Sequence, residues 1–192
     1  MRRHLPTLRR LACCALAATV AASCAWGTLT EDEFEARHVD GVCGVAFQPD
    51  GMTPVLQALR EAAGSPLRAT EVTVYAAHSS FELRDPAHPE HLNDWTVYGT
   101  QVQPSEPVSV SAQDDIEART FDLVDYPWAE LPHALDKGLR QLDLESGTVV
   151  YFSIEREDPG GPVRTRAYYS GPRESGWVEF NDELEVLEAR RN

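Results

Sequence analysis

The residues with the best claim to chemistry lie in one Pro-rich stretch, Arg84-Asp-Pro-Ala-His88-Pro-Glu-His91-Leu-Asn-Asp94, with His78 a little upstream. Imidazole and carboxylate suit zinc or copper, and two His three apart can converge on one ion in a turn, so His78, His88 and His91 are the candidate metal ligands. No Cys or HExxH helix completes a tetrahedral set, and exposed loops collect His and Asp for reasons of turn geometry alone.

A second candidate site is a binding patch near the C-terminus. Arg164, Arg166, Tyr168, Tyr169, Arg173 and Trp177 combine aromatic and guanidinium groups, the composition that marks interface hot spots. The structural alternative is a hairpin in which Glu155, Arg156, Glu157 and Asp158 on one arm face Arg164 and Arg166 on the other, since cross-strand ion pairs fix register. Strands also place half their aromatics in a core.

Catalytic motifs are missing from the sequence. Nucleophilic catalysis needs Ser or Cys with a base and an orienting group. Arg173-Glu-Ser175-Gly-Trp lacks the Gly two residues before Ser that a nucleophile elbow requires. Cys43 has Gly neighbours and no His motif, and no Gly-rich phosphate loop occurs. A non-catalytic role is therefore expected, with an envelope hydrolase of dispersed residues as a remoter alternative.

The N-terminus carries Arg2, Arg3, Arg9 and Arg10 with no acid, followed by an apolar run from Leu11 to Ala22. That is the charged and apolar order of an export signal. As a helix the run reaches only about 18 Å, short of the roughly 30 Å of a bilayer core. Ala21-Ala22-Ser23-Cys24 resembles the lipobox of bacterial lipoproteins, with Ala21 where that family usually has Leu. The resemblance implies acylation of Cys24, cleavage after Ser23 and a chain anchored to the membrane only through its lipid, facing outward. Ordinary signal cleavage after Ser23 or Ala25 would instead release a secreted protein. An acylated Cys24 leaves Cys43 without an intramolecular partner, and a free Cys24 permits a disulfide between them outside the cell.

Removing residues 1–23 takes away four of the 17 basic residues and none of the 31 acidic ones, leaving a formal charge of −18. Such a surface repels nucleic acid and anionic headgroups and favours cations or plain solubility. Lys137 is the single Lys against sixteen Arg, a bias expected of a GC-rich, actinobacterial-type genome.

These candidates must be carried by an α+β fold. An acidic tether over 24–41 precedes a first unit, 42–102, in which Cys43, Val45 and Phe47 would share a strand face. Thr53 as N-cap and Pro54 predict a helix with Val55, Leu56, Leu59 and Ala62 on one stripe, ending at Gly64. A strand follows at 71–77, then a loop, then a strand from Trp95 to Tyr98. A polar connection, 103–126, holds a short strand near Val108 and Val110. The second unit, 127–192, repeats the order: Trp128, Leu131, Leu135, Leu139 and Leu142 form a helical stripe, followed by strands at 147–154, 163–169 and 177–180. The shared order suggests two helix-plus-antiparallel-sheet units packed as a pseudo-duplicate, with one asymmetric α+β sheet as the alternative. The lipobox, the helix-then-strand order and Tyr168-Tyr-Ser-Gly-Pro-Arg-Glu-Ser-Gly-Trp-Val-Glu-Phe180 look like actinobacterial lipoproteins weakly similar to PepSY-type modules. That resemblance implies an exported accessory protein whose partner is an envelope protein or peptide, and it transfers no functional residue.

Overall fold

A computed structural model describes residues 47, 50–111, 113–156 and 158–192. The signal, Cys24, the tether, Cys43 and Glu157 lie outside the described residues. The fold is α+β and mostly β. In order the elements are α1 (Met52–Ala63), β1 (Arg68–Tyr75), β2 (Ser79–Arg84), β3 (Leu92–Tyr98), β4 (Gln101–Val102) and β5 (Glu106–Val108). Then come α2 (Ile116–Arg119), β6 (Phe121–Asp122), α3 (Leu131–Leu142), β7 (Thr148–Glu155), β8 (Arg164–Ser170), β9 (Ser175–Phe180) and β10 (Val186–Arg191).

Every strand pairing is antiparallel, in the order β10-β9-β8-β7-β1-β2-β3-β4, with β5 on β3 and β6 on β1. One helix followed by a meander thus occurs twice, and the meanders meet where β1 pairs β7. Along that seam Val72 faces Ile154, Thr73 faces Ser153, Val74 faces Phe152 and Tyr75 faces Tyr151. Period-2 alternation sends Val72, Val74, Phe81, Leu83, Phe152, Ile154, Ala167, Val178 and Phe180 to one side, where all are buried. Among the described residues the helices cover this side and none packs on the other.

Helix α1 buries Met52, Val55 and Leu59. The helix starts at Met52 rather than at a Thr53 cap, because Gly51 takes the N-cap position and Asp50 accepts the Thr53 N–H at 3.0 Å. Its end is as expected: Gly64, at φ 90°, donates its N–H to the Arg60 carbonyl. Helix α3 starts at Leu131, not Trp128, whose indole N–H instead donates to the Leu123 carbonyl at 2.7 Å. The Leu131, Leu135, Leu139 and Leu142 stripe is buried as its spacing predicts. Gly138 lies on the same face and brings α3 close to the sheet, since a Cβ there would stand 2.5 Å from Tyr169 Oη and 2.9 Å from Phe180 Cζ.

The stretch between Ala77 and Trp95 contains a full strand, β2, where a loop was expected. Ser79, Phe81 and Leu83 alternate inward, and both edges of β2 are paired. Phe47 packs edge-on against Phe152, with ring centroids 5.7 Å apart. The connection is fastened to the end of the sheet by Glu117 of α2, which receives Arg68 at 2.5 Å and also pairs with Arg84. Those guanidinium groups, the Arg68 hydrogen bond foremost, hold the Glu117 carboxyl below its ordinary range.

Candidate functional site

The alternation that buries one side chain exposes the next, so the uncovered face of the sheet collects the outward residues of six strands. On β1, β7 and β8 these include Tyr75, Tyr151 and Tyr168. Tyr151 and Tyr168 stack at 4.4 Å and 18°, and Tyr75 lies 5.1 Å from Tyr151. His78, in the β1–β2 turn, extends the row by stacking on Tyr75 at 4.7 Å and approaching Tyr98 of β3 at 5.5 Å. The spacings lie close to the distance between neighbouring strands, about 4.7–4.9 Å, so the rings cover part of one another's faces. Tyr75 is 37% exposed and Tyr98 50%.

Trp177 of β9 stands opposite Tyr168 and continues the row. The Arg166 and Arg190 guanidinium carbons lie 5.2 and 5.6 Å from its ring centroid, within cation–π range. Arg166 also donates to Glu179 at 2.6 Å, and Arg164 Nε is 4.0 Å from the same carboxylate. The Glu179 hydrogen bond raises the Arg166 pKa further above its ordinary value. Tyr151 is shifted upward, by partial burial first and by neighbouring Tyr168 second. This edge of the row thus joins an aromatic ring to permanently cationic guanidinium groups that are buttressed by acids, Glu179 on Arg166 and Glu188 on Arg190 at 3.1 Å.

Of the six residues expected in the binding patch, Arg164, Arg166, Tyr168 and Trp177 share this open face, and Arg173 is exposed in the β8–β9 turn. Tyr169 does not join them. One residue along the strand from Tyr168, it points to the other side, is 1% exposed, and donates its hydroxyl to the Leu135 carbonyl at 2.9 Å. Glu155 stands opposite Arg164 in register, as the expected hairpin requires, and Arg164 and Arg166 also reach Glu179 on β9. Sequence reasoning did not find Tyr75, Tyr98 or Tyr151, because their convergence depends on pairing strands about 80 residues apart. Their only local signal is an aromatic at an outward position of its strand.

The candidate metal ligands separate into two places. His78 belongs to the aromatic row, at one end of β2. His88 and His91 lie beyond the other end, in the β2–β3 loop, with Asp85 as their third partner. Asp85 Oδ1 accepts the backbone N–H groups of Ala87 at 2.7 Å and His88 at 3.2 Å, while Oδ2 faces His88 Nδ1 at 3.4 Å. The Ala87 N–H is the main cause of a lowered Asp85 pKa, so the group is a carboxylate at neutral pH. Beside this loop is a cleft of ≈ 180 Å³ lined in part by Leu83, Asp85, Pro86 and Trp95. That is smaller than the roughly 300–1,000 Å³ of ordinary small-molecule pockets.

Among the described residues, no helix is long and apolar enough to cross a membrane. No protein-family model matches the chain, and no curated protein is significantly similar to it. A solved structure does match in fold. It is that of a protein provisionally named a lipoprotein, from Clostridium difficile 630, with a TM-score of 0.54 at 10% identity, covering 73% of this chain and 91% of that one. At that identity the likeness shows a shared fold.

Proposed function

We propose that this chain is an exported, non-catalytic accessory protein, anchored through a lipid on Cys24 to the outer face of a cell membrane, that binds an envelope component through the open face of its sheet. The observation that carries the binding role is the row Trp177, Tyr168, Tyr151, Tyr75, His78 and Tyr98, flanked by Arg164 and Arg166, on a sheet face that none of the described helices covers. Side chains of this kind are costly to leave in water and are the ones that dominate interface energetics. The fold needs none of them for its core, which lies on the opposite face. Export and anchoring are supported by the signal and lipobox residues up to Cys24 and by the provisional name of the C. difficile protein of like fold.

The binding role is tested by co-sedimentation with insoluble envelope material from an actinobacterial-type host. The native chain is expected to be retained. Combined substitution Tyr75→Ala, Tyr98→Ala and Trp177→Ala should release it while leaving the thermal unfolding midpoint near the native value. Retention unaffected by those substitutions would refute the role of the open face.

A further inference from the structure

We propose that the β2–β3 loop is a transition-metal site in which Asp85, His88 and His91 bind one borderline-soft divalent cation, with copper(II) preferred over zinc. Two imidazoles and one carboxylate form a donor set that such ions favour over calcium or magnesium. The three ligand atoms already lie within 4.8 Å of one another. Ligands at about 2.0–2.1 Å on a tetrahedral zinc stand roughly 3.3–3.4 Å apart, while the preference for copper(II) rests on the general affinity order of divalent ions at nitrogen and oxygen sites. The Asp85 Oδ2 to His88 Nδ1 separation of 3.4 Å meets that figure as it stands. Closing the third side needs a rotation of His91, whose side chain is 62% exposed and stacks on the His88 ring at 5.5 Å, so the two imidazoles already lie side by side.

The loop is organised so that little else must move. Oδ1 of Asp85 is occupied by two backbone donors, which fixes the carboxylate and leaves Oδ2 for an ion. The Asp85 N–H donates to the His91 carbonyl at 3.0 Å, and the His91 N–H to the His88 carbonyl at 2.8 Å, so the loop is pinned across its base and between its two histidines. Arg84 Nε donates to the Pro89 carbonyl at 2.8 Å and supports the far side. Pro86 and Pro89 restrict the backbone further, lowering the entropy lost on ligation. Glu90, 3.9 Å from His91 Nε2, adds negative charge beside the ion. Three protein ligands leave a coordination position open to water or to a donor from a partner.

Titration of the untagged full chain with zinc chloride and, separately, copper(II) chloride in non-chelating buffer tests the site. One equivalent should bind, copper more tightly than zinc. His88→Ala and His91→Ala should each weaken binding at least tenfold. Asp85→Asn keeps an oxygen for the two backbone donors and removes the charge, and it should weaken binding comparably without altering the unfolding midpoint. Copper(II) should broaden the imidazole NMR signals of His88 and His91 before those of His78 and His133. Absence of one-equivalent binding, or binding that survives both His88→Ala and His91→Ala, overturns the proposal.

Discussion

Gly138→Ala sets two opposed effects against each other at one position. Gly inside an exposed helix costs about 1 kcal/mol relative to Ala, so helix propensity alone predicts stabilisation. Packing predicts the opposite. The new Cβ would lie 2.5 Å from Tyr169 Oη and 2.9 Å from Phe180 Cζ, against the roughly 3.5–4.0 Å of a comfortable contact. Neither neighbour can yield freely, because Phe180 is fully buried and the Tyr169 hydroxyl is held by the Leu135 carbonyl at 2.9 Å. Overpacking of a tight core costs about 1–3 kcal/mol, and a displaced Tyr169 hydrogen bond adds about 0.5–1.5 kcal/mol. After the propensity gain is subtracted, a net destabilisation of about 0.5–3.5 kcal/mol remains, readable as a lower urea midpoint with unchanged slope. The Tyr169→Phe background removes the nearest clashing atom, so Gly138→Ala should cost less there than in the native chain. Equal or greater stability of the single Gly138→Ala protein would refute the close approach of α3 to β8 and β9.

Leu135→Ala removes a buried side chain from the middle of the α3 stripe and should cost about 2–5 kcal/mol in urea unfolding; a loss below about 0.5 kcal/mol would place Leu135 on the surface. Tyr126 and Thr165 share a buried hydrogen bond of 2.6 Å, so Thr165→Val should cost about 1–3 kcal/mol by stranding the phenol. Adding Tyr126→Phe should recover part of that loss in a double-mutant cycle. Glu117 has a depressed folded pKa, so its contribution is fully present above the ordinary glutamate value of about 4.3 and is lost as pH falls below it. Glu117→Gln should therefore lower the unfolding midpoint at pH 7 and leave the native and variant curves converging on the acid side.

Elements whose signals are local were legible in the sequence. The Leu stripe of α3, the Gly64 helix stop and the inward alternation of β1, β7, β8 and β9 all follow from periodicity and turn chemistry. Strand β2 was obscured by its flanks. Ser79, Phe81 and Leu83 do alternate, but Ser and Glu weaken the pattern, and the Pro and His residues that follow suggest a loop throughout. Strand β10 is an edge strand with mixed polar residues, and its only buried-side signals are the half-buried Val186 and Ala189. The binding patch was half legible for a related reason. Composition located Tyr168 and Trp177, while telling Tyr168 from Tyr169 requires the strand's phase, joining Tyr75 to Tyr151 requires the β1–β7 seam, and bringing in Tyr98 requires β2 between β1 and β3. For the metal loop, sequence proximity grouped His78 with His88 and His91. The length of β2 separates them and brings in Asp85 instead.

Anchoring of an outward-facing chain by a lipid on Cys24 underlies the proposed function. Intact mass of the protein recovered from the membrane fraction, compared with Cys24→Ala, tests it directly. Anchoring predicts a chain that begins at Cys24 and carries diacylglycerol, lost from the membrane when Cys24 is replaced. An unmodified chain that begins elsewhere, with membrane recovery indifferent to Cys24→Ala, would contradict it.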